Sequence, residues 1–248
     1  MDRARSALAA ANYERSLDVL DATATGARAT RLLLKRCVDV SLSAAALLVT
    51  SPLLLLISIW IRFDSAGPVI FRQTRIGKGG RRFEIWKFRT MHCDVSDQRH
   101  RDLVVPLVRA ALAGRDESQS YQASLTPDPR ITRAGRFLRR TCLDELPQLV
   151  NVFKGDMSLV GPRPPVLYEY EEIGDQLRDR FLMRPGMTGL WQVAGHSRLN
   201  FRRMYELDIE YVRHWSLRLD WKILLKTLPA VLLGERSSRD IRGSRRSG

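Results

Sequence analysis

The dominant signal along the chain is an uncharged apolar stretch from Val40 to Ile61. As one helix it would reach roughly 33 Å, close to the hydrocarbon thickness of a bilayer. Ser51 and Pro52 interrupt it near its midpoint; a proline inside a helix removes one backbone donor and crowds the preceding turn. Downstream, Val69-Ile70-Phe71 and Phe83 to Phe88 flank Gly77, Gly79 and Gly80, the pattern of a β-hairpin. Gly77-Lys78-Gly79-Gly80 lacks the spacing of a P-loop and the hydroxyl residue after its lysine, so it reads as the hairpin turn. Helical periodicity is expected over Asp102 to Ala113, inside the polar section from Asp94 to Pro129, and again over Glu169 to Met183 and Phe201 to His214. Thr132 offers a helix cap, and Arg184 to Val193 reads as loop. From Asp220 to Leu233, Trp221, Ile223, Leu224 and Leu225 mingle with Lys222 and Lys226, which suits either packing on a domain or lying along a membrane surface.

The apolar stretch is too long and too far from Met1 for a signal peptide, and no small-residue cleavage site follows it. Arg28, Arg31, Lys35 and Arg36 precede it without an acid; Arg62, Arg72, Arg75, Lys78, Arg81, Arg82, Lys87 and Arg89 follow it against only Asp64 and Glu84. Basic flanks favour the cytoplasmic side, and here both flanks qualify. A hairpin that enters and leaves by one face satisfies both, with the Ser51 hydroxyl meeting a backbone group freed by Pro52. The expected fold class is therefore α+β, mainly helical: an N-terminal re-entrant membrane helix hairpin on a cytosolic globular domain with a small β-hairpin. Its divisions are a mobile N-terminal arm over residues 1–34, a re-entrant helix over 35–62 broken at Ser51-Pro52, a globular domain over 63–233 and a basic disordered tail over 234–248.

A formal net charge of +14 calls for an anionic partner, either nucleic acid or an anionic membrane surface. The apolar stretch favours the membrane. The 3 cysteines, Cys37, Cys93 and Cys142, have no metal-like spacing and suit a reducing compartment, with Cys142 a small packing residue. His92 beside Cys93 completes no four-ligand set, which disfavours zinc.

Candidate chemistry concentrates at Asp144-Glu145, adjacent carboxylates preceded by Arg139 and Arg140 and followed by Leu146-Pro147. Like charges repel, so such a pair needs a cation or uses its charge. Pro147 is compatible with a helix only in its first turn, which puts Asp144 at or near an N-cap with Leu146, Leu149, Val150 and Phe153 as the apolar stripe behind. There the helix dipole would keep the carboxylate ionised and the free N–H groups would receive an anion. On its own the pair reads first as an ordinary helix cap. Its company points to phosphate: Arg163 sits in Gly161-Pro162-Arg163-Pro164, a rigid frame for a residue suited to bidentate phosphate recognition.

The run from Leu143 through Gly155-Asp156-Met157-Ser158-Leu159-Val160-Gly161-Pro162-Arg163-Pro164 resembles the signature of bacterial sugar transferases, the monotopic polyprenyl-phosphate sugar-1-phosphate transferases. The resemblance extends from Lys35 to about Leu233 and includes a second signature over Arg184 to Val193, after which several family members carry an arginine where this chain has His196. The section from Asp94 to Pro129 is longer than in the shorter members. What the resemblance implies is transfer of a sugar-1-phosphate from a UDP-sugar to undecaprenyl phosphate, releasing UMP, as the first membrane step of exopolysaccharide, capsule or glycan synthesis at the cytosolic face of the bacterial inner membrane. Joining two anions directly is opposed by repulsion, and a carboxylate nucleophile divides the reaction into two easier steps. Asp144 is then the nucleophile, Glu145 helps it to hold Mg2+, and Arg139 and Arg163 contact phosphate. Lys87 and Arg89 are candidates for the same anionic pocket, or for a solvated basic face meeting anionic lipids. Lys35, Arg36 and Asp39 resemble an anchoring motif at the base of the membrane helix, where Asp39 and Arg36 could pair.

Three other readings compete. A nucleic-acid binder accounts for the charge, but the basic residues form no recognition motif. A non-catalytic membrane scaffold gives the Asp-Glu pair no task. A metal-dependent glycosyltransferase would carry an Asp-X-Asp motif, which this chain lacks. The sugar and the oligomeric state are not legible.

Overall fold

The computed structural model describes residues 26–93, 98–115, 128–194 and 200–232. Helix α1, Gly26–Asp64, contains the whole apolar stretch. It starts earlier than expected, so residues 26–34 continue the helix instead of forming an arm, while residues 1–25 and the tail after 232 lie outside the described residues. The break expected at Ser51-Pro52 is absent: the helix runs through both residues. The reason is local. Pro52 has no N–H for the Leu48 carbonyl four residues back, and Ser51 Oγ donates to that carbonyl at 2.8 Å.

The N-terminal half of α1 is bolted to the rest of the chain by polar groups. Lys35 Nζ meets Asp220 Oδ2 at 2.6 Å and donates to the Val160 carbonyl at 3.1 Å. Asp39 accepts from Ser158 Oγ at 2.8 Å and from the Leu159 N–H at 3.1 Å. Arg36 donates to the Val152 and Phe153 carbonyls at 2.6 and 2.8 Å. The anticipated pairing of Asp39 with Arg36 is thus replaced: each finds a backbone end that needed it. Towards the other end of α1, Ile57 and Ile61 are buried against Phe88, Ala134 and Leu138. Between and around these contacts Leu48, Val49, Leu55, Leu56 and Phe63 remain exposed.

Strands β1, Ile70–Ile76, and β2, Arg82–Phe88, form the antiparallel hairpin, with Ile70 opposite Phe88. Helix α2, Gln98–Leu112, places Val104, Leu107, Val108 and Ala111 in the main core. Helix α3, Arg133–Thr141, starts at Thr132, whose hydroxyl accepts from the Gly135 N–H as its cap. Helix α4, Gln148–Lys154, ends at Gly155 in the left-handed region, φ 97°. Strand β3, Ser158–Val160, pairs in parallel with β4, Gly186–Thr188. This pairing joins the chain's two signature segments. Gly161 and Gly186 face each other so closely that a Cβ on either would collide with the opposite backbone.

Helix α5, Leu167–Ile173, gives way at Gly174 to a 3-10 segment, Gly174–Leu182, with a non-helical Leu177. The single helix expected over Glu169 to Met183 is therefore two pieces. The segment expected as loop over Arg184 to Val193 contains β4 and the start of the short helix α6, Leu190–Ala194. Helix α7, Phe201–Arg213, lays Phe201, Met204, Tyr205 and Leu207 into the core. Helix α8, Leu217–Leu232, packs on the domain through the buried Ile223, while Trp221 and Leu225 on its other face are exposed.

Candidate active site

Asp144 and Glu145 lie in a 3-10 turn, Leu143–Glu145, between α3 and α4. The turn opens at Cys142, the one non-glycine residue with positive φ (56°) among those described, whose N–H returns to the Arg139 and Leu138 carbonyls at the end of α3. A left-handed residue with a Cβ costs on the order of 1 kcal/mol, so Cys142 holds a forced corner beyond simply filling space. Asp144 is not the helix cap expected from the sequence. Pro147 precedes α4, and neither the turn nor α4 has a side-chain cap. Pro147 suits that place because the N–H it lacks would have had no helical partner. Phe153, expected on the buried stripe, is exposed; Val152 is fully buried in its stead.

The electrostatics of the pair also differ from the dipole expectation. Burial pushes the Asp144 carboxyl up to about 6, and the adjacent Glu145 charge pushes the same way; Lys87, Arg139 and a backbone hydrogen bond oppose them. The structure thus brings together Asp144, Glu145, Lys87 and Arg139. Lys87 Nζ lies 3.0 Å from Glu145 Oε1. Arg139 Nε donates to Thr90 Oγ1 at 2.9 Å, which fixes the guanidinium from the end of the β2 side. A carboxyl with pKa near 6 beside two cations is half-prepared as a nucleophile: ionised at neutral pH, and poorly solvated once ionised.

Arg89 is directed elsewhere. It is buried, and Nη2 donates to the Ser65 carbonyl at 2.6 Å and to Ser65 Oγ at 2.9 Å, clamping the exit from α1. Arg163 is held by Glu169, with Nη1 3.0 Å from each carboxylate oxygen. Ser51 and Pro52 sit on the exposed length of α1. His196 lies outside the described residues.

Sequence reasoning missed a buried ionic cluster beside Arg163, formed by Glu169, Arg180 and Asp208. Its signal was present. Asp208 interrupts the apolar face of α7 between Tyr205 and Tyr211, and Glu169 stands one turn before the buried Ile173. An acid inside a buried stripe requires a cation to meet it.

A paired carboxylate framed by lysine and arginine thus lies on a small mixed domain that carries one helix long and apolar enough, by length and composition, to cross a membrane. The chain belongs to the bacterial sugar transferase family, whose pattern it matches over residues 30–234. It is 41% identical over 206 residues to the galactosyl transferase CpsE of Streptococcus agalactiae, a match covering 83% of this chain and 43% of CpsE. It is 39% identical over 205 residues to the exopolysaccharide production protein ExoY of Rhizobium meliloti, covering 82% of this chain and 87% of ExoY. Against the UDP-glucose:undecaprenyl-phosphate glucose-1-phosphate transferase of Escherichia coli the identity is 39% over 204 residues, covering 79% of this chain and 39% of that protein. The chain therefore spans less than half of several curated relatives and most of the length of ExoY.

Proposed function

We propose that this chain transfers a sugar-1-phosphate from a UDP-sugar to a polyprenyl phosphate such as undecaprenyl phosphate, through a covalent intermediate on Asp144. The names of the relatives supply the substrate class: the E. coli protein and its like act between UDP-glucose and undecaprenyl phosphate, and ExoY serves exopolysaccharide production. The observation that carries the mechanism is Asp144 itself, a carboxyl pushed up to about 6 with Lys87 and Arg139 against it.

In the first step an Asp144 carboxylate oxygen attacks the β-phosphorus of the UDP-sugar. The bond from that phosphorus to the bridging oxygen breaks, and UMP leaves with the electron pair. In the second step an oxygen of the polyprenyl phosphate attacks the phosphorus of the aspartyl-phosphosugar. The bond to Asp144 breaks, the carboxylate is restored, and the lipid carries a diphosphate-linked sugar. Arg139, Lys87 and Arg163 offset the phosphate charges during both displacements. Asp144 and Glu145 offer an adjacent pair of hard oxygen donors, a site that would hold a hard divalent ion. Magnesium fits it, and when bound would offset the repulsion between the carboxylates and the incoming phosphates.

The same proposal sets α1 as a re-entrant element at the cytosolic face of the bacterial inner membrane. Its two ends pack on one body, Lys35 and Asp39 on β3 and Ile57 and Ile61 on the Phe88–Leu138 cluster. A helix that crossed the bilayer between those contacts would carry one end beyond reach of the domain. Basic residues on both flanks meet anionic lipids on that face.

The test is to supply detergent-solubilised protein with magnesium, undecaprenyl phosphate and a panel of UDP-sugars and measure UMP. Sugar-dependent UMP and a phosphosugar trapped on Asp144 are expected. Label found on another residue would end the nucleophile assignment, and no UMP from any donor would favour a scaffold.

A further inference from the structure

A buried cluster of Glu169, Arg180 and Asp208 is built around one residue. Arg163 uses its backbone N–H on Asp208 Oδ2 at 3.3 Å, and its carbonyl accepts from Arg180 Nη2 at 3.1 Å. Its side-chain Nη1 meets both Glu169 oxygens at 3.0 Å. The holders are joined to one another. Arg180 reaches Asp208 Oδ2 through Nε at 3.1 Å and Nη2 at 2.7 Å, and Tyr205 OH donates to Glu169 Oε1 at 3.2 Å. They come from three separate elements: Glu169 from α5, Arg180 from the 3-10 segment, Asp208 and Tyr205 from α7.

Exposure gives the cluster a direction. The side chains of Glu169, Arg180 and Asp208 are 0, 1 and 1% exposed, whereas that of Arg163 is 26% exposed. Arg163 is the member that opens outward. Stability alone is a poor reason for such a cluster, because buried ion pairs are often no more stable than apolar residues of similar volume. What it supplies is a fixed arginine. Glu169 holds the side chain, while Arg180, Asp208, Pro162 and Pro164 fix the backbone of the same residue before any substrate arrives.

We propose that Glu169, Arg180 and Asp208 are positioning residues that hold Arg163 ready for the diphosphate of the nucleotide-sugar. This rests on the reading of Arg163 as a phosphate contact, and the experiment separates the two. The full chain in detergent is titrated with UDP, which carries the diphosphate without the transferable sugar, and Kd is measured for wild type, Arg163→Ala, Glu169→Gln and the double variant.

Arg163→Ala weakens UDP on the order of tenfold or more, the loss of a charge-assisted hydrogen bond. Glu169→Gln keeps the shape of the side chain and weakens UDP several-fold, and in the Arg163→Ala background it adds nothing, because it acts through Arg163. Equal weakening in both backgrounds overturns the positioning role, as does a wild-type or tighter Kd for Glu169→Gln alone. Unchanged binding by Arg163→Ala removes the phosphate contact itself and the proposal with it. Should Glu169→Gln fail to fold, Tyr205→Phe takes its place. It removes one donor to Glu169, and a smaller loss of affinity that vanishes without Arg163 is expected; a wild-type Kd for Tyr205→Phe overturns the proposal.

Discussion

Lys87 and Glu145 form a 3.0 Å ion pair across the turn that carries Asp144, so a strand of the hairpin supplies the cation that faces the acidic pair. Lys87 lowers the Asp144 pKa against the burial that raises it. Replacing Lys87 with Met removes that opposition. With Asp144 as the proposed nucleophile, the rate should fall on the acid side near pH 6 in the wild type, and this limb should move to higher pH in Lys87→Met. UMP release measured from pH 5 to 8.5 reads the shift directly. An unmoved limb would detach Lys87 from the nucleophile.

The same carboxyl carries a stability cost. Its folded pKa of about 6 stands above the ordinary 3.8, so between those values the folded protein holds a proton that the unfolded chain has released. Stability therefore falls as pH rises from about 4 to 6, and the full cost is present at pH 7. Asp144→Asn removes the charge. We expect an inactive protein that is more stable at pH 7 by on the order of 1–3 kcal/mol, with the difference fading towards pH 4. Denaturant melts at the two pH values measure it; an inactive variant that is less stable at pH 7 would contradict the buried-charge account.

Lys35 and Asp220 are both buried at 2.6 Å, and Asp220 also accepts from Tyr211 OH at 2.7 Å and Trp215 Nε1 at 3.2 Å. Lys35→Met leaves that carboxylate without its cation, which should cost about 3–5 kcal/mol. A double variant, Lys35→Met with Asp220→Leu, should recover part of the loss because the carboxylate left without its cation is then gone, although Asp39 stays buried nearby. Thermal melts in detergent distinguish the two cases, and a double variant no better than the single would show that the pair does more than balance charge.

The elements that were legible in the sequence are those set by local rules. The hairpin followed from two apolar runs around glycines, Thr132 from its capping chemistry, and α7 from its periodicity. The Asp-Glu pair and its arginine and lysine neighbours were legible as a motif. What escaped was decided by tertiary packing. Arg89 looked like a companion of Lys87, yet the carbonyls at the end of α1 needed a donor and took it. Asp144 looked like a cap, yet the left-handed corner at Cys142 sends the chain through a 3-10 turn first and buries the carboxyl. The cluster of Glu169, Arg180 and Asp208 draws on three elements, and no local pattern states that they meet.

Ser51 and Pro52 give the topology a direct test. Pro52 deprives the Leu48 carbonyl of its helical donor, and Ser51 restores one at 2.8 Å, so the apolar helix tolerates its proline with no bare carbonyl in lipid. The proposed topology puts both ends of α1 on the cytosolic side. In a background lacking Cys37, Cys93 and Cys142, a single cysteine in place of Arg31 or of Phe63 should be shielded from a membrane-impermeant maleimide added outside intact cells, and should react once the inner membrane is opened. Arg31 and Phe63 lie on opposite sides of the apolar stretch. Labelling of either one from outside, while the other stays shielded, would mean that α1 crosses the bilayer, and the re-entrant assignment would be lost.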